Sequence, residues 1–172
     1  MADSLTEALT ERQLEVVKSI TSTDGTTVTI SSTEYDISHL TKEQRWWIRL
    51  LVSSVFSQNI EILGGDAAGY CCLGLSTVLY EFVTGERFER DDNRYVNIEH
   101  GYYNDTIVHE QESLLDGGYE KVLDFMKLNE KQVVARPDVG SLVDLNDIKG
   151  YSFEQIARHC IENAKEVFVQ DE

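Results

Sequence analysis

Two adjacent thiols, Cys71 and Cys72, have the clearest capacity for chemistry in this 172-residue chain. They follow Gly69-Tyr70 and open an apolar pattern of three- and four-residue steps through Leu75, Val78, Leu79 and Phe82. That period predicts a buried helix from about Tyr70 to Val83, with both cysteines in its first turn. Backbone N–H groups and the macrodipole at such a position stabilise a thiolate, and a thiolate beside a base attacks acyl carbon. His100, His109 and His159 are the candidate bases. The competing reading makes the cysteines small core fillers beside Gly74, a residue a helix accepts for the close approach of another backbone. The expected neighbour is the helix after Thr41. The periodicity favours packing over catalysis.

A second set mixes cations, aromatic rings and amides: Arg87, Arg90, Arg94, Tyr95, His100, Tyr102, Tyr103 and Asn104. Such groups bind a nucleotide-like or phosphate-bearing molecule by stacking and bidentate contacts. The sequence carries no phosphate-loop, dinucleotide or kinase signature, so the same stretch also suits a solvated loop. Asn146 and Asp147, ahead of Gly150, read as turn residues whose oxygens accept backbone N–H groups. Cys71-Cys72 with the distant pair His159-Cys160 lacks the spacing of zinc ligands, so no metal or cofactor is expected.

These residues need elements to hold them. Ser4-Leu5-Thr6-Glu7, Thr41-Lys42-Glu43-Gln44 and Ser152-Phe153-Glu154-Gln155 each have capping-box spacing and predict three helix starts. Leu5, Leu9, Val16, Val17 and Ile20 give the first helix its stripe, which Asp24-Gly25 breaks. The second runs through Trp46, Trp47 and Ile48 to Val55 and Phe56, apolar on several sides, with Gly64-Gly65 at or just past its end. The last carries Ile156, Cys160, Ile161, Ala164 and Phe168 inward, with His159 at the boundary. Val28, Ile30, Tyr35 and Ile37 alternate with polar residues around Ser32-Thr33-Glu34 as a β-hairpin. Short strands are expected at 95–98 and 106–108, and a short helix with Val122, Leu123 and Met126 after Gly117-Gly118. The result is a single α+β domain over 1–172, helix-dominated, with an N-terminal β-hairpin and short strands in the middle region.

Tyr70-Cys71-Cys72-Leu73-Gly74-Leu75, followed by Leu142-Val143-Asp144-Leu145-Asn146-Asp147 and Tyr151-Ser152-Phe153-Glu154-Gln155-Ile156-Ala157, resembles a family of small tailed-phage and prophage proteins. Its marks are an aromatic–Cys–Cys–Leu–Gly–Val segment, a later Leu-Asn-Asp turn and a Ser-Phe-x-x-Ile-Ala helix. The tryptophan-bearing helix at 46–58 and the segment 122–128 resemble its other blocks. The resemblance covers roughly 38–165 and leaves the helix and hairpin of 1–37 as an extension. Leu75 stands where the family has valine, and its further downstream cysteine is absent, Val78 or Leu79 being nearest. The resemblance implies a phage origin and no reaction. Phage accessory proteins of this size commonly bind host machinery or blunt host defence.

Composition narrows the partners. Thirty-one acidic against 15 basic side chains give a net charge of −16, which repels nucleic acid and anionic membranes. The excess is densest between Glu81 and Asp124, without the clusters of a committed DNA mimic, which stays as a third reading. The sequence has no long apolar run and no signal-peptide pattern, and its cysteine count of three is odd. A cytosolic protein with free thiols is therefore expected. The leading expectation is a non-enzymatic binder of a host protein or small signalling molecule. A cysteine-dependent hydrolase or transferase using Cys71 or Cys72 is the alternative. Self-association through the N-terminal helix and hairpin stays open.

Overall fold

In a computed structural model of the chain, residues 9–59, 64–65, 69–88, 90–91, 94–95, 120–133 and 141–170 are described, with the backbone alone at 64–65, 90–91 and 94–95. Helix α1 (Glu11–Thr21) precedes strands β1 (Thr27–Ile30) and β2 (Thr33–Asp36) and helix α2 (Lys42–Leu51). Strands β3 (Gly64–Gly65) and β4 (Gly69–Tyr70) lead into helix α3 (Cys72–Thr84). Strands β5 (Arg90–Asp91) and β6 (Arg94–Tyr95) follow, then helix α4 (Glu120–Met126) and a 3-10 turn (Glu130–Val133). Helices α5 (Leu142–Asp147), α6 (Phe153–Glu162) and α7 (Ala164–Val167) complete the order. The architecture is α+β with helices dominant.

Capping boxes start four of these helices. The boxes at Thr41/Gln44 and Ser152/Gln155 form as the sequence predicts. The Ser4…Glu7 box lies outside the described residues. Helix α1 instead begins behind a Thr10/Gln13 box, so its inward stripe reduces to Gln13, Val17 and Ile20. A fourth box pairs Ser141 with Asp144, a shorter acid than the motif's usual Glu or Gln. Two of the glutamines do more than cap. Gln13 Oε1 accepts the Thr10 N–H while its Nε2 donates to the Val55 carbonyl at 3.2 Å. Gln44, 3% exposed, donates from Nε2 to the Met126 carbonyl at 3.0 Å, satisfying a terminal carbonyl of α4.

The β1–β2 hairpin pairs Val28 with Tyr35 and Ile30 with Thr33. Its two-residue turn holds Ser31 and Ser32 at φ 48° and 71°, the left-handed pair that matches strand twist. Helix α2 stops at Leu51, short of the predicted Phe56. Ser53 Oγ bonds back to the Leu50 carbonyl at 2.7 Å and Ser54 turns to φ 65°, so local serine hydrogen bonds compete with the helix. Gly64-Gly65 is therefore strand, not helix terminator. It pairs with β4 and with β6 in the order β4-β3-β6-β5. Gly69 is required where it stands: its φ is +82° and an added Cβ would lie 2.7 Å from the Ser57 carbonyl oxygen. Of the strands expected at 95–98 and 106–108, Tyr95 ends β6 and the rest lie outside the described residues, as do Gly117-Gly118.

Helix α3 is the core element, buried from Cys72 to Glu81 and closed by Gly85 in the left-handed conformation. It packs on α2, α4 and α5, and α2 also meets α6. Trp47, fully buried, donates from its indole to the Cys72 carbonyl at 3.0 Å and meets Phe168 edge-on at 6.2 Å. No described helix is long and apolar enough to cross a membrane.

Because the Gln44 amide both accepts and donates inside the core, Gln44→Glu removes the donor and sets a carboxylate against the Met126 carbonyl. The expected cost is about 2–4 kcal/mol, read by urea denaturation at neutral pH. The same change at exposed Gln155 costs under about 0.5 kcal/mol.

Candidate functional site

The cysteines open α3 as the period predicts, but the helix begins two residues after the expected start, which leaves Cys71 just outside its first turn. Tyr70 belongs to β4, Cys71 is the N-cap and Cys72 is the first helical residue. The Cys71 thiol serves as the capping acceptor, taking the Gly74 N–H at 3.4 Å. Cys71 is 3% exposed, and Cys72 and Cys160 are fully buried. Burial pushes the Cys71 thiol up to about 12, and the Asp147 carboxylate adds to the rise. Burial also raises Cys72 well above the usual thiol range, with Cys71, Cys160 and Asp147 contributing, and it raises Cys160. The helix N-terminus favours a thiolate, but desolvation dominates here.

Of the three candidate histidines only His159 is among the described residues, and no hydrogen bond joins it to either thiol. His159 is half-buried on α6, its Nδ1 3.3 Å from the Asn163 amide nitrogen. Burial lowers its pKa, and the charges acting on it are Glu166, Glu162 and Lys149. His100 and His109 lie outside the described residues. No group of three His, Cys, Asp or Glu among the described residues is placed to hold a metal ion.

What does meet the cysteine turn is Asn146. The turn expected at Asn146-Asp147 is instead the last turn of α5, and Asn146 is 1% exposed. Its Oδ1 accepts from Gln58 Nε2 at 2.8 Å and from the Cys72 N–H at 3.4 Å. Its Nδ2 donates to the Asn59 carbonyl at 2.9 Å and to Asp147 Oδ1 at 2.7 Å. Gln58 Nε2 also reaches the Tyr151 carbonyl at 2.7 Å, just ahead of α6. The Cys-Cys and Leu-Asn-Asp segments, about 70 residues apart, thus meet in space as a buried packing joint. The Leu142 carbonyl, 4.0 Å from Cys72 Sγ, belongs to it too.

The cation- and tyrosine-rich set divides. Arg87 Nη1 donates to the Glu81 and Glu86 carbonyls at 2.5 and 2.8 Å, capping the C-terminus of α3. Arg90 and Arg94 fall in β5 and β6, Arg90 opposite Tyr95 and Arg94 opposite Asp91 and Gly65. The small sheet therefore joins this segment to the glycine hairpin that feeds Cys71. His100, Tyr102, Tyr103 and Asn104 lie outside the described residues.

Residues that the sequence reading passed over anchor the segment. Glu81, fully buried, accepts the Phe88 N–H at 3.0 Å. Tyr80 stacks on Phe88 at 5.7 Å, meets Phe125 edge-on and donates to Glu86 Oε2 at 2.5 Å. Lys121 reaches the same oxygen at 3.3 Å. Burial, then the Glu86 bond, pushes the Tyr80 phenol up to about 12, while Tyr80 and then Lys121 hold Glu86 below the usual carboxylate range. An acid inside an apolar helix run was the available signal for Glu81.

Asn146→Ala strips acceptors or donors from Cys72, Asn59 and Gln58 inside the core, and an expected loss of about 2–4 kcal/mol is measurable by chemical denaturation. Iodoacetamide at neutral pH leaves all three thiols of the folded protein unmodified by intact mass and labels all three in guanidinium. An adduct on Cys71 or Cys72 in native buffer would reinstate the nucleophile. No protein-family model, no curated protein and no solved structure matches the chain.

Proposed function

We propose that this chain is a phage-encoded accessory protein that acts by binding, without catalysis, a host protein or a small signalling molecule, as a counter-defence factor does. The observation that supports it is how the two candidate sets are used. The thiols are spent on packing and on capping α3, and burial holds them protonated at neutral pH. The arginine- and tyrosine-rich segment leaves α3 from a fixed base of Glu81, Arg87 and Phe88. A recognition segment rooted on a rigid helix loses less conformational freedom on binding than a free loop. The phage assignment rests on the Tyr70–Leu75, Leu142–Asp147 and Tyr151–Ala157 segments and on the meeting of the first two at Asn146.

The test combines affinity capture and calorimetry. Immobilised protein retains a specific bacterial protein, or binds one member of a nucleotide panel, and Arg90→Ala with Arg94→Ala abolishes that binding without lowering the melting temperature. No enriched protein together with no heat from any nucleotide overturns the reading.

A further inference from the structure

Helix α6 hands the chain to α7 at Asn163, whose φ of −122° and ψ of 33° lie outside the helical range. Asn163 stands at the N-cap of α7 but gives it no side-chain hydrogen bond. Its amide turns back to α6 instead. Nδ2 donates to the His159 carbonyl at 3.0 Å and lies 3.3 Å from His159 Nδ1. The segment beyond this joint closes the core. Val167 and Phe168 are buried, and Phe168 meets Trp47 edge-on. The backbone there pairs with the end of α4: the Asn129 N–H donates to the Val167 carbonyl at 2.9 Å and the Val169 N–H to the Lys127 carbonyl at 2.7 Å.

The two contacts of the Asn163 amide fix a protonation state. A carbonyl oxygen only accepts, so the amide atom facing the His159 carbonyl is the NH2 nitrogen. The same NH2 faces Nδ1, which therefore accepts and carries no proton. Neutral His159 is thus the Nε2–H tautomer, and Nδ1 is the atom that a further proton occupies. An N–H at that atom meets a donor. Flipping the amide gives Nδ1–H an acceptor but sets Oδ1 against the His159 carbonyl, so neither orientation satisfies both atoms. Burial also holds His159 below its usual value, while Glu166 and Glu162 oppose that fall and Lys149 adds to it. Among the described residues these are the charges acting on the ring: Glu166 on α7, Glu162 at the end of α6 and Lys149 ahead of its start. The two carboxylates offer a protonated ring another partner.

We propose that this joint is a pH-sensitive latch. Neutral His159 is bridged to Asn163 and holds α7 in place. Protonation at Nδ1 ends the bridge, draws the imidazole towards Glu166 and Glu162 and releases α7 together with the pairing at 167–169. A histidine that the fold keeps neutral stabilises it fully above the free imidazole value of about 6.5, and that contribution is lost as pH falls below it. The latch is closed at neutral pH and opens in mild acid. None of these residues belongs to the arginine- and tyrosine-rich segment, so the latch is independent of what that segment binds.

Long-range 1H–15N spectra of the imidazoles and amide hydrogen exchange test this on the full chain. At pH 8 His159 reads as the Nε2–H tautomer, and it titrates below free imidazole; neither measurement needs a variant. Between pH 7.5 and 5 the protection factors of Phe168 and Val169 fall at least about threefold more than those of Val78 and Leu79, buried in α3. His159→Gln, whose amide oxygen can accept from Asn163 without titrating, abolishes that fall. His39→Gln, at an exposed site elsewhere, leaves it intact. An Nδ1–H tautomer at pH 8, a titration at or above the free value, no loss of protection, a loss shared equally by α3, or a loss that survives His159→Gln each overturns the proposal.

Discussion

Both backbone polar groups of Cys72 are held by side chains from distant parts of the chain. Asn146 accepts its N–H from 74 residues ahead, and the Trp47 indole donates to its carbonyl from 25 residues behind. The first turn of a buried helix exposes N–H groups that no helical carbonyl can take, so a helix start inside a core must find partners elsewhere. This one finds them in α5 and in the Cys71 thiol. Around that knot α2, α3 and α5 are fixed, Phe168 closes on Trp47, and the strand at Gly69-Tyr70 enters with Tyr70 against Phe56.

The same constraint decides the chemistry of the thiols. A cysteine at a helix N-terminus is a candidate nucleophile when water reaches it. Here Asn146, Gln58 and the Leu142 carbonyl fill the space before the helix, and removing the thiols from water favours their protonated form more than the helix end favours the thiolate. The geometry that makes the segment conspicuous also buries its thiols.

Polar groups inside this core are used in pairs rather than avoided. Gln13, Gln44 and Asn146 each accept with one amide atom and donate with the other, linking a helix end to another element. An amide can do this at net zero charge, which a carboxylate cannot, so neutral amides carry long-range links while most of the acids stay in water. Among the described residues Glu81 and Asp144 depart from that rule, Asp144 closing the Ser141 cap of α5. The buried Glu81 carboxylate takes the Phe88 N–H and, with Tyr80 stacked on Phe88, fixes where the arginine-rich segment leaves α3.

Local rules were legible in the sequence because their partners lie within four residues. The caps at Thr41 and Ser152, the alternation that makes the hairpin, the presence of a buried helix behind the cysteines and the helix-rich α+β class follow from periodicity and capping spacing alone, although α3 is buried on every side from Cys72 to Glu81 and not along one face. The sequence also placed His159 at a boundary and Cys160 inward. It misjudged the end of α2, where the Ser53 hydroxyl bonds back to Leu50 and Ser54 turns left-handed, and read Asn146 as a turn residue because a short amide before a glycine has that use locally. Only the tertiary structure decided that Asn146 serves the cysteine helix, that Gln44 answers Met126, and that Arg87 caps α3. Those bonds join residues up to 82 positions apart, and a side chain's distant partner is set by how the elements pack, which no spacing along the chain encodes.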